Sequence, residues 1–147
     1  MNTLIDQFVK DCIWEIQNIS YCVDGNKETI SWFSEEELET IFELSKYLVL
    51  KYLTTHNILW IIEKESFADN IEKAIIICMA IECLLRIIDD KRRAERINKD
   101  SRFEGFVTDK VKDDLKKLQK DYEETYRQLM NGMIIMAEQF PGKPLAN

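Results

Sequence analysis

The chain has 147 residues, of which 46% are hydrophobic and 32% charged, and its formal net charge is −7 at neutral pH. This composition excludes a disordered chain, because a domain of this length can bury about two-thirds of its unfolded surface. The acidic balance argues against a dedicated nucleic-acid-binding protein, which needs a positive field to displace counterions. Only four glycines and two prolines are present, and both prolines lie in the last seven residues. We therefore predict long, uninterrupted helices and an all-α fold.

The first predicted element is an amphipathic helix over residues 2–18, in which apolar residues recur three and four positions apart. Acids and amides stand where a secretory signal would carry basic residues. We therefore expect a protein that is not secreted and is located in the cytoplasm. Residues 19–32 follow, with Asp24 and Gly25 placed for a tight turn. This segment fits either a short β-hairpin near residues 19–32 or an ordered loop pinned by its aromatic residues.

Ser34, with Glu37 three residues later, has the sequence pattern of a capping box. It predicts a helix that begins here and runs to about Thr54. The next stretch, NILWIIEKESF, predicts a short apolar linker or an extra helical turn, packed on the core through Trp60 and Ile61.

The most apolar stretch is EKAIIICMAIECLLRII, residues 72–88, with 13 apolar residues in 17. A bilayer-spanning helix needs roughly 20 nearly uninterrupted apolar residues, so we expect the central helix of a bundle and no membrane association. Asp69 or Asn70 is placed to cap this helix, and no glycine or proline follows before Gly105. The pattern predicts one helix from residue 70 to residues 97–99.

The last helix is predicted from Thr108 to Phe140, and residues 141–147 form an irregular tail. Its apolar line has a mean period of about 3.6 residues, that of a straight helix. Such a helix measures about 50 Å, whereas a sphere of this chain length is about 38 Å across. Two long helices therefore predict an elongated bundle in which the end of the last helix projects. The residues of that end are candidates for binding a partner: Met133, Ile134, Met136 and Phe140.

Two charged segments are further candidate interaction surfaces. Residues 27–43 hold six glutamates and one lysine, and residues 86–99 hold six basic and three acidic residues. Such patches on different faces suit head-to-tail contacts between copies, which close into a ring when the rotation permits. The alternative is that both sets of charges only complement their own helix termini. The candidate residues are Glu36 and Glu39 on the acidic side and Arg92, Arg93 and Arg96 on the basic side.

Glu35, Glu36 and Glu39 spell EExxE, which resembles the first half of the metal motif in all-α nucleotide pyrophosphohydrolases. That resemblance implies a second helix with ExxD, so that four carboxylates gather Mg²⁺. Here Glu82 is followed by Leu85 at the required position. The four cysteines and one histidine lack the paired spacing of a zinc site, and no nucleophile or phosphate-loop motif is present. We therefore predict no catalytic residues, no metal and no cofactor.

The order of elements resembles that of the small helical head–tail adaptor (connector) proteins of tailed phages. Those proteins pack a short N-terminal helix and a buried apolar helix against a long polar last helix, and an irregular C-terminal tail docks on the portal. The corresponding segments here are residues 2–18, 70–97 and 108–140, followed by FPGKPLAN. The resemblance implies an assembly role, with the protein incorporated into a virion, and transfers no catalytic residue.

The sequence as a whole predicts a single helical domain over residues 1–140, an elongated bundle of about four helices. Its predicted function is non-catalytic association with protein partners, as a homo-oligomer and structural assembly component such as an adaptor-like ring protein. Binding of nucleic acid is not expected. Two alternatives stay open, a small acidic inhibitor or regulator of one target protein and, third, the Mg²⁺-dependent hydrolase.

Overall fold

The computed structural model describes residues 21–23, 26–28, 32–142 and 144. Most of the described chain is helical, which confirms the predicted helical fold class, while the predicted helix over residues 2–18 lies outside the described residues. In chain order the elements are β1 (Tyr21–Val23), β2 (Asn26–Glu28), α1 (Glu35–Thr55), a 3-10 helix (Leu59–Glu63), α2 (Glu65–Asp89), α3 (Lys91–Lys99) and α4 (Asp109–Gln139).

The two short strands lie in the segment for which the sequence left a hairpin and an ordered loop open. They pair antiparallel, with Tyr21 opposite Glu28 and Val23 opposite Asn26. The predicted turn residues between them lie outside the described residues. Beyond the strands, Trp32 is buried, so the chain enters α1 with its indole in the core.

α1 begins with the capping box that the sequence predicts. The Ser34 hydroxyl accepts a hydrogen bond from the Glu37 N–H at 3.2 Å, and the Ser34 N–H donates to the Glu37 carboxylate at 3.1 Å. The helix ends in a Schellman turn, in which Asn57 adopts a left-handed φ of 56° and the next N–H groups bond back to the last helical turn. The buried face between these ends comprises Leu38, Ile41, Phe42, Ser45, Val49 and Leu53.

The linker prediction is confirmed in the form of an extra turn of helix. The 3-10 helix buries Ile61 completely and Trp60 in part. α2 then begins at Glu65, ahead of the predicted start, and its N-cap residue makes no side-chain capping bond. Asp69 and Asn70 therefore lie inside α2 and do not cap it, because the 3-10 helix leads directly into the first turn.

α2 is the central helix, as its apolar composition predicts. It packs against α1 on one side and α4 on another, which explains why apolar residues occupy nearly its whole circumference. Its buried residues are Phe67, Ile71, Ala74, Ile75, Ile76, Cys78, Met79, Ala80, Cys83, Leu84 and Ile87.

The prediction of one continuous helix from residue 70 to residues 97–99 is wrong, because the chain breaks at Asp90. The backbone of Asp90 is extended, with φ −92° and ψ 97°. Its carboxylate accepts hydrogen bonds from the N–H groups of Arg92 at 3.0 Å and Arg93 at 3.2 Å. Asp90 thus acts as the N-cap of α3, and this capping ends α2 without a glycine or proline. α2 is about 37 Å long at its 25 residues.

α4 starts where the sequence predicts, since the Thr108 hydroxyl accepts a hydrogen bond from the Val111 N–H at 3.3 Å. The helix is continuous through Gly132, and its 31 residues measure about 46 Å. Its buried residues lie near both ends, at Leu115 and from Met130 to Ala137. No helix in the described part of the chain has the length and apolar character that crossing a bilayer requires.

Candidate partner-binding surface

The C-terminal end of α4 packs against the rest of the chain and does not project from it. The prediction of an exposed partner-binding end is therefore wrong for two of its four residues. Met133 is 1% exposed and lies in the chain's own core. The Phe140 ring packs on Phe67 at 5.3 Å between ring centroids and on Trp60 at 5.8 Å. These aromatic contacts hold the end of α4 against the start of α2 and the 3-10 helix.

The other two predicted residues of this end differ from each other. Ile134 is half-buried and packs against the core, whereas Met136 is 46% exposed. The buried position is Ala137, one residue beyond the predicted Met136, and Ile135 on the outer face is 61% exposed. Only Met136 of the predicted four therefore offers a largely free apolar side chain.

Arg93 of the predicted basic surface is buried inside the chain and is not available to a partner. Its guanidinium donates to the carbonyl oxygen of Trp32 and to the carboxylate of Glu37. It also lies over the Phe33 ring, with 4.3 Å between its Cζ and the ring centroid. These contacts join the start of α3 to the start of α1.

Arg96 also bonds within the chain, since its guanidinium donates to the Trp32 carbonyl at 3.1 Å. The adjacent Arg92 is exposed. A small cleft beside this cluster is lined by two acidic and three basic side chains, so its formal charge is only slightly positive. The lining residues are Glu37, Asp90, Arg92, Arg93 and Arg96.

The Glu37 carboxyl is the titratable partner of this cluster. Its partial burial works to raise its pKa, but the hydrogen bond from Arg93, the bonds from Ser34 and the Arg93 charge together hold the pKa below the usual 4.5. Glu37 therefore stays ionised as both the cap of α1 and the partner of Arg93. The sequence indicates the capping role, but nothing in it indicates the ion pair with a residue 56 positions away.

The predicted acidic residues Glu36 and Glu39 lie on the exposed side of α1. Within the described ranges, no group of three or more histidine, cysteine, aspartate or glutamate side chains lies close enough to share a metal ion. Glu35 and Glu36 lie in the first turn of α1, where negative charge stabilises a helix N-terminus, and Glu39 lies in the next turn.

An apolar cleft outside the predicted candidate surfaces lies at the C-terminal half of α1. Tyr47 is 59% exposed and Leu59 is 40% exposed. The aliphatic stem of Lys51 and the methyl groups of two threonines complete the lining, which consists of Tyr47, Leu50, Lys51, Thr54, Thr55 and Leu59. Ile62 follows Leu59 by three residues, which places both on one side of the 3-10 helix, and it is also exposed.

A signal for this cleft is present in the sequence. Tyr47 and Leu50 fall on the side of the helical wheel opposite the buried face, where a solvated helix normally carries polar residues. The Schellman turn at Asn57 then brings Leu59 beside them.

The buried cysteine of α2 behaves as a core residue. Burial raises the pKa of the Cys78 thiol to about 11, although the neighbouring Ser45 hydroxyl partly offsets this, and the nearby Glu82 charge raises it further. Burial also raises the pKa of Tyr126. Both groups are therefore neutral in the folded protein at physiological pH.

We expect the free energy of unfolding to fall as the pH rises from 9 to 11, in part because of Cys78. The thiol keeps its proton in the folded chain until about pH 11, but the unfolded thiol ionises from about pH 9. Replacement of Cys78 by alanine should reduce this loss by up to about 2 kcal/mol. Urea titrations of both proteins at pH 8, 9.5 and 11 under reducing conditions measure the difference. Parallel pH profiles would show that the thiol does not contribute.

Comparison with protein-family models gives no match to this chain. Comparison with curated proteins and with solved structures gives no match either.

Proposed function

We propose that this protein is a non-catalytic structural component that works by association with protein chains, and that its first partner is another copy of itself. The observation that supports this is the apolar cleft on α1, where Tyr47 and Leu59 are 59% and 40% exposed beside the half-buried Leu50. Contiguous exposed apolar surface is typical of the places on a protein where a partner binds.

The role of the charged segments in this proposal differs from the head-to-tail arrangement that the sequence suggests. Arg93 and Arg96 bind Trp32 and Glu37 of their own chain. These bonds occupy the Arg93 guanidinium and one nitrogen of Arg96, so a contact of this segment with the acidic segment of another copy loses Arg93 as a donor. The α1 cleft is therefore the better candidate for the primary contact.

An assembly role of the adaptor kind is consistent with the length of α4. At about 46 Å, α4 is longer than the roughly 38 Å diameter of a sphere of this chain length. The described helices thus favour an elongated subunit, which is the shape that helix length predicts from the sequence. We propose a ring or smaller closed oligomer as the working form.

The proposal is tested by multi-angle light scattering on the full chain between 1 and 200 µM. We expect a mass above that of one chain, and a double variant with Tyr47→Ser and Leu59→Ser should shift towards the monomer. Ile135→Ser is the matched control, because Ile135 is an equally exposed apolar residue on a different helix. It should leave the mass unchanged.

A wild-type chain that stays monomeric at every concentration would contradict self-assembly. The remaining alternative would then be an acidic regulator that binds one target protein. A double variant that keeps the wild-type mass would instead locate the contact outside the α1 cleft.

A further inference from the structure

The outward side of α1 carries one line of residues that is opposite its buried face. At 100° per residue, positions separated by three and four residues lie along one stripe of a helix. Tyr47 stands near the middle of the stripe and is its most exposed large apolar side chain. The full stripe comprises Glu36, Thr40, Glu43, Tyr47, Leu50, Lys51 and Thr54.

Charge changes sign along this stripe. On the stripe itself, the half before Tyr47 is acidic through Glu36 and Glu43, and the half after it is basic through Lys51, while Glu39 and Lys46 flank the stripe with opposite charges. Glu43 and Lys51 are both exposed, and the ion pairs among the described residues involve neither of them. The stripe is therefore complementary to itself when its direction is reversed.

We propose that two copies of the chain associate through antiparallel α1 helices, around a two-fold axis that passes beside Tyr47. This inference rests on the proposed function and specifies its contact. Residues 43 and 51 each lie four positions from Tyr47, so the axis sets Glu43 of each copy opposite Lys51 of the other. The two Tyr47 rings meet at the axis, and the contact is isologous, as in most closed dimers.

The threonines on the stripe can enter such a contact without losing hydrogen bonds. Thr40 and Thr54 are each seven positions from Tyr47, so the same axis sets them opposite each other. The Thr40 hydroxyl donates to the Glu36 carbonyl at 3.1 Å, and the Thr54 hydroxyl donates to the Leu50 carbonyl at 2.9 Å. Because both donors are satisfied inside the helix, burial of these side chains leaves no unpaired hydroxyl proton.

A parallel arrangement would place the acidic halves of both helices together. Like charges that face each other destabilise a contact, so the antiparallel orientation is selected by the charge pattern. Leu50 and Leu59 extend the apolar contact beyond the axis, and Leu59 lies just past the end of α1.

Charge reversal at the two facing positions tests the geometry. Glu43→Lys alone and Lys51→Glu alone each place two like-charged pairs across the proposed interface. We expect each variant to raise the dimer dissociation constant about tenfold at low salt, and less at 1 M NaCl. An equimolar mixture of the two variants should associate with wild-type strength, because each heterodimer contains two opposite-charge pairs. Sedimentation velocity measures the dissociation constants of the two variants and of their mixture. Circular dichroism checks that the helices are intact.

The control is Glu123→Lys, which reverses an exposed charge on α4 and should leave the dissociation constant unchanged. If the wild type associates but the mixture is no stronger than either variant alone, the antiparallel α1 contact is wrong and the proposed function stands. If the wild type is monomeric throughout, both proposals are overturned.

Discussion

Replacing Met133 with aspartate is expected to prevent the chain from folding. Met133 is 1% exposed and belongs to the buried cluster that α4 contributes together with Met130 and Ala137. A carboxylate placed there is buried in a cluster of hydrophobic side chains, and burial of an unpaired charge costs more than the usual 5–15 kcal/mol stability of a domain can offset without rearrangement. We expect little soluble protein and no cooperative thermal transition by circular dichroism.

Ile135→Asp is the matched control, two residues along the same helix. Ile135 is 61% exposed, so an aspartate at this position should change the free energy of unfolding by no more than about 0.5 kcal/mol. A milder core variant, Met133→Ala, should still fold, so its stability can be measured. Urea unfolding should show a free energy of unfolding lower by about 2–4 kcal/mol. A folded Met133→Asp protein of wild-type stability that fails only in association would restore the projecting end that the sequence predicts.

The difference in burial between Met133 and Ile135 shows what sequence periodicity cannot predict. The period of α4 places Leu115, Leu118 and Tyr122 on the core side, as found. It does not say which of several neighbouring apolar residues in MNGMIIMAEQF faces inward, because apolar residues there surround the helix. The choice of Ala137 over Met136 depends on how closely α4 approaches α2.

Helix ends are predictable when a side chain caps its own backbone. Ser34 and Thr108 each bond to an N–H group three residues ahead, so both helix starts can be read locally. Asp90 makes the same kind of cap, but it stands in a run of charged residues without a glycine or proline. The sequence pattern therefore predicts a helix that continues through it. A capping aspartate inside a helical pattern is a boundary signal as strong as a serine.

The buried role of Arg93 could not be read from the sequence. Its run of basic residues has the composition of a solvated surface, and three of its neighbours are indeed exposed. Arg93 is singled out by tertiary structure, because the break at Asp90 turns α3 towards the start of α1. Only that turn brings the guanidinium to Trp32, Phe33 and Glu37.

The second large effect is expected for Arg93→Ala, which should lower the free energy of unfolding by about 2–4 kcal/mol. The Arg93 side chain is 6% exposed. Its removal leaves the Glu37 carboxylate without its cation and the Phe33 ring without the guanidinium that packs over it. Arg92→Ala is the control at the adjacent, exposed position and should change stability by no more than about 0.5 kcal/mol. The loss of stability in Arg93→Lys should fall between those of the two alanine variants, since an ammonium cannot donate to Trp32 and Glu37 in the forked geometry of a guanidinium. Equal effects of Arg92→Ala and Arg93→Ala in urea unfolding would contradict this account.

The pH dependence of the Arg93→Ala effect separates the ion pair from packing. The pKa of Glu37 is held below 4.5 in the folded chain. The contribution of this carboxylate to the free energy of unfolding is therefore fully present above the pKa of the unfolded chain and is lost as the pH falls through the pKa of the folded chain. The stability difference between wild type and Arg93→Ala should therefore be constant from pH 7 to about pH 5 and narrow towards pH 3. The part that persists once Glu37 is protonated reports the Trp32 hydrogen bond and the Phe33 contact. A difference that stays unchanged down to pH 3 would mean that Arg93 stabilises the junction of α1 and α3 without help from the Glu37 charge.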